Sequence, residues 1–302
     1  MSHPSTYRRA RAEMSVGRST VVIMDETRDS FTAPDRTAPV RGAAEQRAAG
    51  RGAILSELEF TVVDVETTGW APDEASITEI GAVRVRAGRL VAEFSSLVNP
   101  GMPVPATITE LTGISDQMLI SAPPVAGVLP GLLAFARGSV LAAHNAPFDL
   151  RFLTAACTGM GLDWPSFEVL DTVRLARHLM ATPEEVPDRK LATLARFFAT
   201  PVRPSHRALD DARSTAAILG RLLARLADRE GVSTLGQLDT WLAARDAEVA
   251  AAEVAAAEVA AAEVAAAEVA AAEAAAVEGA ATAGQEADAD GRETARADAG
   301  IG

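Results

Sequence analysis

The chain has 302 residues, a formal net charge of −13, 48% hydrophobic residues and a single cysteine. A lone Cys157 excludes a disulfide framework and a cysteine-ligated zinc site, and predicts a reducing, cytoplasmic setting. No apolar run reaches the ~20 residues of a membrane span, and Val21 to Met24 is too short for a signal core, so no membrane partner is expected.

In chain order, residues 1–53 are rich in Arg, Ser, Thr, Pro and Gly without hydrophobic periodicity, which predicts a disordered segment. Asp25, Glu26, Asp29 and Asp35 dilute its basic charge and argue against a transit peptide, and Met14 or Met24 are alternative starts. Residues 54–230 are long enough for one substantial core. Strands are expected near 58–65, 77–86, 90–98, 139–143 and 167–170, and helices near 124–136, 147–159, 172–181, 190–199 and 207–228. Three consecutive strands followed by alternating helices and strands define an α/β domain with a mixed five-stranded sheet flanked by helices. Residues 231–246 read as a closing helix and 247–302 as an acidic low-complexity tail.

The chemistry starts at Phe60 to Val65, a short apolar strand followed by Glu66-Thr67-Thr68-Gly69. Side chains alternate across a strand, so Asp64 and Glu66 share a face. Two like charges side by side are costly unless something positive sits between them, and a divalent cation is the usual answer. The alternative is a pair of acids that merely terminates a strand. His144-Asn145-Ala146-Pro147-Phe148-Asp149 then places Asp149 in the first turn of a helix, where the dipole favours a carboxylate; a plain cap is its alternative. His206 and Asp211, five residues apart at a loop-to-helix junction, can face one centre from two sides, or simply begin a polar helix.

Taken together, Asp64-x-Glu66-Thr-Thr-Gly, His144-Asn145-x-x-Phe148-Asp149 and His206-x-x-x-x-Asp211 resemble the three motifs of the DEDDh 3′→5′ exonucleases. That family includes the proofreading subunit of bacterial replicative polymerases, the exonuclease inserted in Gram-positive replicative polymerases, RNase T and oligoribonuclease. Leu111-Thr-Gly-Ile114, Val169-Leu-Asp-Thr172 and Lys190-Leu-Ala-Thr-Leu194 resemble its connecting segments, and the likeness runs from about Leu58 to Leu226. It implies an RNase H-like architecture and two divalent metal ions, Mg²⁺ or Mn²⁺. In this likeness Asp64 bridges both ions, Glu66 and Asp211 complete the site of the attacking water, and Asp149 serves the second ion. Independently of the family, four carboxylates suit two hard cations, and two such ions about 3.5–4 Å apart can drive in-line phosphodiester cleavage. Histidine is the side-chain type suited to take a proton from water at neutral pH, and His206 is the one nearby.

The substrate pocket is read from the same segments. Thr67, Thr68 and Gly69 form a turn whose backbone N–H groups can hold a terminal 3′-hydroxyl, with Gly69 permitting close approach and positive φ. Thr112, Gly113 and Ile114 are the opposite wall by resemblance, with Ile114 against the base. His144, Asn145 and Phe148 complete the candidates for nucleic-acid contact, against the alternatives of a satisfied turn and a core aromatic. Trp70 can stack on a base. Asp210 is read as solvent-facing and Asp171 as a helix cap, while His178 and His3 lack a partner pattern. Arg84, Arg86, Arg151, Arg203 and Arg207 are candidates for a basic face.

The tail repeats Glu-Val-Ala-Ala-Ala, with Glu at 248, 253, 258, 263, 268 and 273. Residues 246–302 hold 13 acids against Arg292 and Arg296, so this segment supplies −11 of the −13 and overall acidity does not argue against nucleic-acid binding. A five-residue period turns about 140° per repeat on a helix, so no apolar seam forms and a coiled coil is not expected. Gln237-Leu-Asp-Thr-Trp241-Leu242 loosely resembles peptides that bind the bacterial sliding clamp; the competing reading is a capping box, Thr234 with Gln237, opening an amphipathic helix. The expected partners are therefore nucleic acid, DNA 3′ ends ahead of RNA, with a replicative polymerase or the sliding clamp as protein candidates. An RNA-trimming enzyme and a polymerase docking module are the alternatives.

Overall fold

The computed structural model describes residues 12–16, 19–23, 50–180 and 186–298. In chain order the elements are β1 (Ala12–Val16), β2 (Ser19–Ile23), β3 (Glu59–Thr67), β4 (Ile77–Arg86), β5 (Arg89–Leu97), α1 (Ala106–Thr112), α2 (Asp116–Leu119), α3 (Val125–Ala136), β6 (Val140–Ala143), α4 (Ala146–Gly159), β7 (Val169–Asp171), α5 (Thr172–Leu179), α6 (Leu191–Phe197), α7 (Ala208–Glu230) and α8 (Leu235–Asp298). The five expected strands form a mixed sheet: β5, β4 and β3 are antiparallel neighbours, and β3, β6 and β7 run parallel. This is the RNase H-like core predicted from the sequence.

β3 lies inside the sheet with apolar neighbours on both faces, which is why it reads as a nearly continuous apolar run. Phe60 and Val62 join the core under α5, α6 and α7, whereas Val63 and Val65 join the core under α3 and α4. Asp64 and Glu66, two and four residues beyond Val62, continue the α7 face to the end of the strand.

α7 can lie close to this face because β4 carries Gly81 directly opposite Asp64. A Cβ built on Gly81 would stand 2.2 Å from the Ala208 carbonyl carbon and 2.3 Å from the Leu209 nitrogen, both in the first turn of the helix. Two buried carboxylates fasten the helix: Glu79 accepts from Arg207 at 3.0 and 2.7 Å, and Glu93 accepts from Arg213 at 2.7 and 2.8 Å.

Three expectations are corrected. Residues 1–53 were expected to be disordered, yet β1 and β2 pair antiparallel and β2 pairs with β5, with Val22 buried. The runs are too short for a clear period, but they satisfy the otherwise open backbone edge of β5. Residues 1–11, 17–18 and 24–49, with His3, Met24 and the four acids, lie outside the described residues. Second, residues 106–112 form a helix missed in the sequence because Thr107, Ile108, Thr109 and Thr112 are β-branched; Pro105 opens it and Gly113, at φ 71°, closes it. Third, the 237–242 hexapeptide is part of the core, with Leu238 and Leu242 buried. Thr234 and Gln237 make the reciprocal capping box, and Trp241 meets His178 edge-on and donates to Glu230. That burial removes it as a clamp-binding peptide.

The chain divides into two units, the second beginning at Ala243. Within that unit the repeat is helical through Asp298, and Val249, Val254, Val259 and Val264 are all exposed, as a spiral without a seam requires. Among the described residues no helix is long and apolar enough to cross a membrane.

Gly81→Ala is expected to destabilise the domain by about 1–3 kcal/mol or more, because the added methyl meets rigid backbone rather than a movable side chain. Chemical denaturation of both proteins checks this; equal midpoints would show that α7 tolerates a wider seat.

Candidate active site

Three carboxylates from two elements converge where β3 ends and α7 begins. Asp64, Glu66 and Asp211 each offer an oxygen within 4.8 Å of the others'. Asp149 enters from the first turn of α4; it is buried and one of its oxygens accepts the Val65 N–H at 3.0 Å. Asp211 is held by the Ser205 N–H at 2.8 Å. The sequence motifs therefore do meet in space, although they lie up to 147 residues apart, from Asp64 to Asp211.

The electrostatics are those of a buried, crowded anionic site. Burial, followed by repulsion from Asp211, Glu79 and Asp149, pushes Glu66 up to about 8. Burial pushes Asp149 up to about 8 despite the Val65 hydrogen bond, which acts in the opposite direction. Asp64 is raised well above its ordinary range by burial and by Asp149, Glu66, Asp211 and Glu79. Asp211 is also raised by burial, with the Ser205 hydrogen bond and the nearby His206 opposing the shift. Hard oxygen donors grouped at this density fit divalent cations such as Mg²⁺ or Mn²⁺.

His206 is exposed and stands at φ 55°, and Asn145 at φ 66°. Left-handed backbone at non-glycine residues is uncommon and collects at functional sites. The Asn145 N–H donates to Asp171, which also accepts from Val173 N and so is the cap it was read as. Asp210 bonds Arg213 at 2.9 Å and remains partly exposed.

The pocket candidates divide. Phe148 is half-buried against the core and meets Trp70 edge-on at 6.1 Å; Trp70 is 75% exposed, so together they offer an aromatic rim. His144 turns inward: its Nδ1 lies 2.9 Å from Thr172 Oγ1, a second bond joins it to the Arg189 backbone, and burial holds its pKa below the ordinary value. That corrects it from a substrate contact to a satisfied turn. Ile114 is fully buried with Val104 and Leu119, and Thr112 is buried with its hydroxyl donating to Ile108 O and accepting from Ile114 N. The wall assigned to Ile114 is therefore corrected, and Leu111 is the exposed apolar side chain of that segment.

In the Thr67-Thr68-Gly69 turn, the Thr68 N–H is already donated to Ser76 O, and its hydroxyl accepts from Ser76 N and donates to Met102 Sδ. Gly69 does not adopt positive φ; its value lies in close packing, since a Cβ there would stand 3.2 Å from that of Ala75. The proposed basic face is largely committed elsewhere. Arg84 and Arg86 pair with Glu59, Arg207 pairs with Glu79, and the Arg151 guanidinium lies over the Phe148 ring at 4.8 Å.

Sequence reading missed Glu79, Glu93 and Arg213. The signal was present in β4: Glu79 and Gly81 alternate on the face of Asp64 within the buried stretch from Ile77 to Val83.

A fold and site of this kind define the DEDDh 3′→5′ exonucleases. The profile of the RNase T exonuclease family matches residues 61–219, and the chain belongs to this family. A Mycobacterium tuberculosis protein described as a bifunctional exonuclease/endonuclease is 46% identical over 194 residues, covering 62% of this chain and 30% of that protein. The PolC-type DNA polymerase III of Caldanaerobacter subterraneus is 40% identical over 200 residues, covering 66% of this chain and 14% of that polymerase. The chain thus matches less than a third of the length of either relative. Exonuclease I of E. coli, solved with single-stranded DNA, shares the fold with a TM-score of 0.51 at 17% identity, covering 58% of this chain and 42% of that chain.

Glu66 rises on folding from its ordinary 4.5 to about 8, and Asp149 from 3.8 to about 8, so both bind protons more tightly in the folded chain. Their contribution to stability is full below about pH 4 and is lost as pH rises through about 8. In EDTA, the melting temperature is expected to fall between pH 5 and pH 9, and Mg²⁺ or Mn²⁺ is expected to reverse most of that fall. A metal-independent melting curve across this range would contradict the reading.

Proposed function

We propose that this domain removes nucleotides singly from the 3′ ends of single-stranded or frayed DNA, releasing nucleoside 5′-monophosphates, in proofreading or repair. The observation that carries this is the convergence of Asp64, Glu66 and Asp211, with Asp149 buried beside them, at a site whose carboxylates strongly resist ionisation without a cation. Likeness to a segment of a PolC-type DNA polymerase supports DNA over RNA.

Asp64, Glu66 and Asp211 would hold the ions, with Asp149, oriented by the Val65 N–H, beside them. When bound, Mg²⁺ or Mn²⁺ lowers the pKa of water and offsets charge developing on the phosphate. His206 accepts a proton from the attacking water, and its exposure lets it pass that proton to solvent. Trp70 and Phe148 offer an aromatic surface to the terminal base, which tolerates any base because every base has a π-face. Leu111 is a further exposed apolar side chain available to a base. The lone cysteine, Cys157, is buried and consistent with a cytoplasmic enzyme. Docking to a replicative polymerase fits the PolC likeness.

A 5′-labelled single-stranded DNA oligonucleotide is expected to shorten from its 3′ end only with Mg²⁺ or Mn²⁺, and Asp64→Ala is expected to abolish this. A matched RNA degraded faster than the DNA would make the enzyme an RNA-trimming nuclease. No metal-dependent cleavage of either polymer would remove the exonuclease reading and leave a docking module.

A further inference from the structure

His206 is the proton acceptor in the proposed reaction, yet it sits on an exposed loop in a left-handed backbone conformation. Such a conformation persists only where its surroundings over-determine it. The residues on either side of it are pinned. Before it, Ser205 N donates to Asp211 Oδ1 at 2.8 Å, and the Ser205 hydroxyl donates to Asp210 at 3.3 Å. After it, Arg207 places Nε and Nη2 on the two oxygens of Glu79, at 3.0 and 2.7 Å, and Ala208 N donates to Glu79 Oε2 at 2.9 Å. Glu79 is only 3% exposed and projects from β4 directly opposite Glu66.

We propose that Glu79 and Arg207 are positioning residues that hold His206 over the carboxylate cluster. This rests on the exonuclease reading and extends it to residues outside its motif carboxylates. Glu79 takes the Nε–Nη2 edge of the guanidinium, so the side chain of Arg207 is anchored to the strand. The rigid side of the arrangement is the strand: Glu79 fixes Arg207 and the Ala208 N–H with one carboxylate, and that sets where the chain leaves His206. A lysine at 207 keeps the charge beside Glu79 but not the planar two-point fit.

The test is a double-mutant cycle on the full chain, using a 5′-labelled single-stranded DNA oligonucleotide with Mg²⁺. Arg207→Gln is expected to lower kcat about 100-fold with KM nearly unchanged, the loss expected when a reacting group is displaced by about 1 Å. In a His206→Ala background the same substitution is expected to change kcat by no more than about threefold, because the group it positions is gone. Glu79→Gln is expected to behave as Arg207→Gln does, and Arg207→Lys to recover part of the loss. An undiminished rise in melting temperature on adding Mg²⁺ shows that the carboxylate cluster is intact in each variant. If Arg207→Gln does not fold, Arg207→Lys carries the same cycle.

An equal loss in both backgrounds, or a loss that falls on KM, would overturn the proposal and make Arg207 an independent substrate contact. Full activity in Arg207→Gln would overturn it as well. A wild type without metal-dependent hydrolysis, or a fully active His206→Ala, would instead bring down the functional reading, and the proposal with it.

Discussion

Mutual repulsion among carboxylates at the junction of β3 and α7 is the constraint on which the rest of this domain depends. Asp64, Glu66 and Asp211 are within ligand distance of one another, and Asp149 and Glu79 add two further buried acids around them. Burial and proximity both favour their neutral forms, so the site strains against ionisation near neutral pH. Only a rigid scaffold can hold such a group together, and the two apolar cores on either face of the sheet supply it. The site's demand for cations is thus a property of the fold as well as of the side chains.

α7 is the element through which that scaffold acts. Its apolar stripe binds it to the sheet, but an apolar stripe alone leaves a helix free to slide by a turn. Gly81 removes the side chain that would hold the first turn away from β4. The paired carboxylates Glu79 and Glu93, receiving Arg207 and Arg213, then fix its register at two points. Ion pairs of this kind contribute little net stability once desolvation is counted; their use is specificity of placement. Placement matters here because Asp211 and His206 are the two contributions to the site that come from outside the sheet and α4.

The acidic repeat is a separate matter physically. Its six repeat glutamates lack basic residues at i+4, although Glu248 pairs with Arg245. Val249, Val254, Val259 and Val264 face solvent, and the helicity of the repeat follows from the propensity of alanine and glutamate. It carries most of the chain's negative charge, so the net charge of the whole protein describes the tail and not the nuclease domain.

The sequence by itself determined whatever depends on local order. Period-two alternation in β3 put Asp64 and Glu66 on one face, and the five central strands were legible to within a few residues. The motif spacings selected Asp149, His206 and Asp211, and the helical pattern that starts at Thr172 marked Asp171 as a cap. Tertiary structure decided what depends on neighbours distant in the chain. Ile114 and Leu111 are both apolar and three residues apart, and only packing against Val104 and Leu119 buries one and leaves the other exposed. His144 reads in its motif as a nucleic-acid contact or a satisfied turn alike, and its bonds to Thr172 and the Arg189 backbone favour the turn. Leu238 and Leu242 read first as the apolar face of a closing helix and only loosely as a clamp peptide, and docking of the helix buries them. Glu79 lay visible in an apolar strand without a stated purpose, because its partner is Arg207, 128 residues away. Hydrophobic period and turn chemistry are written in adjacent residues; burial and charge partnership are decided by which surfaces the folded chain brings together.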